Sequence, residues 1–193
     1  MNGANAPIAR LSRALDQTGV LIARVQPEQA SLPTPCRAWD VRALVNHVVH
    51  DVRQFTARVS GAQWEQHDTD LIGDDWIGEY RTAAGALLAA WRREGALDGM
   101  VQLPFGEVPA TWLVNQQIAD LAVHGWDIAR ATGQSTDFDP ELGHVALEWA
   151  RENLRPQFRG AEGSGRAFGP EVPVPESASL YDRLAAFFGR DPR

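Results

Sequence analysis

Apolar residues recur at intervals of three and four through most of this chain, the spacing that lines one face of an α-helix. Ile8, Leu11, Leu15 and Ile22 predict a first amphipathic helix from about Pro7 to Val25. "QPEQASLPTPCRAWD" breaks the pattern with three prolines and reads as a loop. Asp40 ends that loop as a natural N-cap, because a short carboxylate can accept from the free amides of a first turn. Val41, Leu44, Val45, Val48, Val52, Phe55 and Val59 then predict a long second helix, with His47 at the edge of its stripe. A polar loop from Ser60 to Asp75 leads to a third helix marked by Trp76, Ile77, Tyr80, Ala84, Leu87, Leu88 and Trp91. In "MVQLPFGEVPA" the spacing shortens to alternation, which allows a small hairpin at most, since Pro104 and Pro109 restrict pairing to an edge. A fourth helix opens near Ala110 with Val114, Ile118, Leu121 and Ile128, and "ATGQSTDFDP" ends it. Leu142, Val145, Ala146 and Trp149 mark a fifth from Pro140 to Leu154. The Gly-, Pro- and Ser-rich stretch 155–178 reads as an irregular surface segment, and a short helix from Leu180 to Phe188 follows.

Four long helices with short connections and few strands predict an all-α antiparallel bundle, with a short extra C-terminal helix. A chain of 193 residues is long enough for one domain with a real core, so residues 1–193 are expected to form a single unit. No run of eighteen apolar residues is present to span a membrane, and the N-terminus lacks the pattern of a secretory signal; the expected location is cytoplasmic. A formal net charge of −7 repels phosphate backbones and sets nucleic acid and anionic membranes aside as partners. All 18 basic residues are arginine, which excludes lysine Schiff-base chemistry. Cys36 is the single cysteine, so a cysteine zinc site is excluded and any metal falls to histidine and carboxylate. Cys36 lies beside Arg37 and shortly before a helix start, both of which favour a thiolate. With no histidine close in sequence it reads as a packing residue instead.

"DLAVHGWDIARATGQ" places Asp120 four residues before His124 inside an apolar helix. Residues four apart share a helix face, so the two side chains can converge. If the second helix faces the fourth, His47 joins them. Two imidazoles and one carboxylate form the ligand set of many catalytic zinc sites, with a fourth position left open. The bland alternative is a hydrogen-bonded core histidine and an ordinary surface Asp–His pair. Burying an unpaired carboxylate is costly, which favours a cation near Asp120. Asp51, four after His47, and Asp127, three after His124, are each placed to orient a ligand imidazole. The expectation is that both are solvated, or that Asp127 pairs with Arg130. His50, His67 and His144 are expected at the surface.

Four stretches together resemble one family: "TPCRAWDVRALVNHVV", "PFGEVPA", "DLAVHGWDIARATGQ" and "AFGPEVPVPESASLYDRLAAFFGRDP". It is the actinobacterial metal-binding domain family named after mycothiol-dependent maleylpyruvate isomerase, within the DinB-like helical superfamily. The resemblance implies a DinB-like four-helix bundle holding a divalent metal, zinc first and nickel second. Carried over position by position, the ligands are His47, Asp120 and His124, with aspartate standing where the isomerase-like members generally have glutamate. It also implies mycothiol as thiol cosubstrate and a small electrophile as substrate. A thiolate activated by the metal would attack that electrophile, in a transferase or isomerase reaction. Because the isomerase carries a further C-terminal domain, maleylpyruvate itself is not the expected substrate. Arg37 and Arg130 are candidates to hold an anionic substrate by their nearness to the motifs. A metal-dependent hydrolase using Asp51 or Asp127 as base stands as one alternative, and a non-enzymatic metal- or small-molecule-binding domain as another. A homodimer is the commonest assembly for a soluble protein and is the expectation here.

Overall fold

The structure is a computed structural model that describes residues 6–37, 39–64, 69–103, 106–160 and 168–193. Its helices are α1 (Ala6–Ala23), α2 (Val41–Ser60), α3 (Trp76–Trp91), α4 (Ala110–Thr132), α5 (Pro140–Asn153) and α6 (Leu180–Phe187). Strands β1 (Met100–Leu103) and β2 (Gly106–Pro109) form one antiparallel hairpin before α4. The all-α expectation with a small hairpin is therefore met. The predicted turn at Pro104 and Phe105 lies outside the described residues.

Helices α2, α3, α5 and α6 start where the sequence offers a short oxygen-bearing side chain, whereas α4 starts after Pro109 with no side-chain cap. The carboxylate of Asp40 accepts from the amide of Ala43 at 2.8 Å, and that of Asp75 from Gly78 at 2.9 Å. Asp139 and the hydroxyl of Ser179 do the same for α5 and α6. These caps satisfy amides that have no partner within the helix, and they fix the phase at which each apolar stripe meets its neighbour.

Helix α4 is the centre of the molecule. It packs against α1 and α2 on one side and against α5 and α6 on the other. Leu113, Val114, Ile118, Leu121 and Ile128 join the cluster shared with α1, α2 and α3. Ala119, Ala122, Val123 and Trp126 join a second cluster with α5 and α6. A helix enclosed on both sides is apolar all round, so the polar residues left on it need a reason. The second cluster is tight. A Cβ at Gly143 of α5 would come within 2.8–2.9 Å of Leu180 and Tyr181, so glycine lets α6 approach closely. The Trp126 indole donates to Asp182 at 3.0 Å and ties α4 to α6.

Beyond α6 the chain turns back inward at Gly189, whose φ of +87° is costly for any residue with a Cβ. A Cβ there would also lie 2.7 Å from the Cα of Gly169. The turn delivers Arg190, only 8% exposed, against the buried side of α4. Among the described residues no helix is long and apolar enough to cross a membrane.

Candidate metal centre

Helices α2 and α4 pack side by side, and their polar residues meet within otherwise apolar surroundings. The ring centroids of His47 and His124 are 5.1 Å apart, edge to face. Trp39, just ahead of the Asp40 cap, stacks on His47 at 4.1 Å and lies 6.0 Å from the His124 ring. The Asp40 cap sets the start of α2 and so the direction in which His47 points.

One turn beyond His47, Asp51 completes a cluster. Its Oδ2 lies 3.1 Å from His47 Nε2, and its Oδ1 lies 3.3 Å from His50 Nδ1. Donor atoms of His47, His50 and Asp51 all fall within 4.8 Å of one another. Burial alone would raise the Asp51 carboxyl, but hydrogen bonds from His47 and His50 outweigh it and hold it well below the usual range. Two corrections follow. Asp51 is not a free solvated carboxylate: it is half-buried and held by two imidazoles. His50 is not a free surface residue: it is partly buried, with its ring 5.1 Å from that of Trp64. Three residues leave a helix about 60° short of a full turn, so His50 reaches the shared carboxylate from the flank. His144 is exposed as expected, and His67 lies outside the described residues.

On α4, Asp120 and His124 line one small cavity together with Asp51 and Gln117. Its volume is about 20 Å³, room for one water-sized body. Asp120 is half-buried, and among the described residues no hydrogen bond relieves it. Burial, then the charge of Asp51, push its carboxyl well above the ordinary value, while Arg190 and Arg58 oppose this. The imidazole of His124 is lowered, chiefly by burial. A wider concavity of about 690 Å³ lies elsewhere, beside Ile8, Arg13 and Trp91. It gathers no histidine, and its Arg13 is already paired with Asp139 and Glu141, so size alone does not mark the site.

A third correction concerns Asp127. It is fully buried, and its Oδ2 lies 3.2 Å from His124 Nδ1. Arg190 donates to the same carboxylate from Nη2 at 3.0 Å and from Nε at 3.3 Å. Burial works against the Asp127 charge, but Arg190 outweighs it and holds the carboxyl low. Arg130 is instead over the Trp126 ring and donates to the Pro192 carbonyl. His124 is thus held through Nδ1, and its Nε2 remains for another partner. Sequence spacing put Asp127 within reach of His124 but gave no sign of Arg190, which comes from 63 residues further on.

The residues present suit a divalent ion. Among the described residues Asp120 receives no hydrogen bond and shares a small cavity with His124, whose ring meets that of His47. The side chains whose donor atoms come within 4.8 Å of one another are His47, His50 and Asp51, and not Asp120 or His124. All the candidates offer nitrogen or oxygen, as first-row metals accept. His47, His50, Asp51, Asp120 and His124 are the residues able to contribute.

Comparison with known proteins places this geometry in context. The family model described as mycothiol maleylpyruvate isomerase N-terminal domain matches residues 11–129. Two proteins of Mycobacterium tuberculosis, uncharacterized protein MT0763 (strain CDC 1551 / Oshkosh) and uncharacterized protein Rv0738 (strain ATCC 25618 / H37Rv), are each 36% identical over 189 residues. Each alignment covers 97% of this chain and 99% of the relative. No solved structure matches the chain. The matched stretch runs from α1 to the end of α4 and contains the whole histidine and carboxylate cluster, and the chain belongs to the mycothiol maleylpyruvate isomerase N-terminal domain family.

Proposed function

We propose that the protein is a metal-dependent enzyme that uses mycothiol as thiol cosubstrate and transfers it to, or isomerises with it, a small electrophile. The metal, zinc in the first instance, would be held by His47, Asp120 and His124. The observation that carries the reading is Asp120, a half-buried carboxylate that lines a small cavity with His124 and receives no hydrogen bond from the described residues. A divalent ion would relieve it and would supply a lowered pKa for a thiol placed at its open position.

The remaining residues prepare that arrangement. Asp127, itself held by Arg190, fixes the ring of His124 with Nε2 directed away from Nδ1 and its partner. Trp39 stacks on one face of His47 and restrains its ring. Asp51 sits 3.1 Å from His47 Nε2. Two ligands of one tetrahedral ion stand about 3.3 Å apart, given bond lengths of about 2.0–2.1 Å. Asp51 is therefore placed either to orient His47 or to join it.

The experiment is a thiol-consumption assay of zinc-loaded protein with mycothiol and a haloalkyl or epoxide electrophile, beside His47→Ala/His124→Ala. Catalysed consumption above the double variant supports the reading. Equal rates in both count against it. A hydrolase is the second reading, favoured by a cavity sized for one water with Asp51 beside it. Asp127 is fully engaged by Arg190 and His124 and does not suit the base role. Ester hydrolysis by the zinc-loaded protein without thiol, lost in Asp51→Asn, would favour the hydrolase. A non-enzymatic site closed by His50 would bind zinc yet show neither reaction, and its zinc affinity would fall in His50→Ala.

A further inference from the structure

Gln117 is a neutral residue at the edge of this site, and its position is unusually determined. It lies on α4 one turn before Asp120, is 1% exposed, and lines the same small cavity as Asp120 and His124. Its Oε1 accepts from the indole Nε1 of Trp91 at 3.0 Å, and Trp91 is itself buried. An indole nitrogen only donates, so the atom facing Trp91 must be the amide oxygen. The amide nitrogen is then directed elsewhere, and Gln117 Nε2 finds no hydrogen-bond partner among the described residues.

A buried donor without an acceptor costs about 1–3 kcal/mol, so its persistence beside a cavity points to an occupant that accepts. We propose that the Gln117 amide, locked by Trp91, is the hydrogen-bond donor that recognises an acceptor oxygen on the electrophile, which shares the open side of the metal with the thiol. The inference rests on the metal reading above and names the class of electrophile the site selects: small molecules bearing an anionic oxygen, of which a carboxylate is the simplest. Arg58, on α2 beyond Asp51, supports the sign. Its charge acts on Asp51 and Asp120, yet its guanidinium forms no hydrogen bond with a described residue and rests over the Phe55 ring. A positive field near two carboxylates and a metal favours an incoming anion.

The test uses cobalt-loaded full-length protein, with formate as probe and visible absorption as readout. Cobalt affinity is measured first, by titration of the metal-free protein. Removing Gln117 alone would orphan the Trp91 indole, so the informative variant is Trp91→Phe/Gln117→Leu, in which both partners become apolar. The single variant Trp91→Phe leaves the amide present but unlocked. Formate affinity is expected to fall about tenfold or more in the double variant, the loss typical of a hydrogen bond to a charged group, and by less in Trp91→Phe. Cobalt affinity is expected to change less than about threefold. Formate binding within about twofold of wild type in the double variant would overturn the proposal and leave the amide to a structural water. Loss of cobalt affinity in step with formate affinity would also overturn it, by making Gln117 part of the metal's support. Absence of cobalt binding in the wild type would overturn the metal reading as well, so the two failures are distinguishable.

Discussion

A desolvated carboxylate without a donor favours its protonated form, and Asp120, half-buried and without a hydrogen bond from the described residues, is shifted that way in the metal-free protein. Its folded-state value is raised above the ordinary aspartate value of about 3.9. Between the two values the folded state holds a proton that the unfolded state has released. The Asp120 contribution to metal-free stability is therefore fully present below the unfolded value and is lost as pH rises through the folded one. Thermal melts in chelator should show Asp120→Asn more stable than wild type at pH 7, and zinc should stabilise only the wild type; a wild type that melts higher in chelator would contradict this. Asp127 has the opposite sign. Its folded value is depressed, so its contribution is present above the unfolded value and is lost as pH falls through the folded one. Arg190→Met should leave Asp127 as a buried, uncompensated charge and cost about 3–5 kcal/mol in urea unfolding at neutral pH. The same variant should weaken zinc about 10–100-fold, because His124 loses the partner that orients it. Zinc affinity unchanged in a folded Arg190→Met protein would mean that the clamp does not reach the metal.

Element by element, the apolar periodicity was a sufficient guide to the helices. Trp76 and Trp91 bound α3 as read from the sequence, and Asp40 caps α2 as predicted. The charged positions were less legible for a physical reason. Asp51 and Asp127 stand at helical offsets from His47 and His124, but an offset does not say whether the neighbouring surface is solvent or another element. Helix α4 answers this for Asp127: a second apolar face packs on α5 and α6 and buries it. Gln117 was illegible for a different reason, since one neutral amide within an apolar stripe has no spacing signature. The turn after α6 makes a third case. Gly189 is required by its positive φ and by the backbone of Gly169, and the turn it allows aims Arg190 inward. Gly189→Ala should cost about 2 kcal/mol or more, from left-handed strain plus the contact. If strain displaces Arg190, zinc affinity should fall with it. A variant as stable as wild type in urea would show that the turn tolerates a side chain.

For the whole molecule, the site depends on parts of the chain far apart in sequence. His47 and Asp51 come from α2, Asp120 and His124 from α4, and the arginine holding Asp127 from beyond α6. The last of these lies outside the 11–129 stretch that the family model matches. The helical bundle therefore supplies the donors, while the C-terminal layer supplies rigidity to one of them. Metal binding to the folded state alone should stabilise the whole protein, by about 4 kcal/mol at a thousandfold excess over Kd. The most direct measurement is elemental analysis of untagged protein, beside His47→Ala/His124→Ala purified in the same way. About one equivalent of zinc or a similar divalent metal is expected in the wild type, with none in the double variant. No metal in either protein, even after zinc is offered and excess removed, would contradict a metal centre at His47, Asp120 and His124.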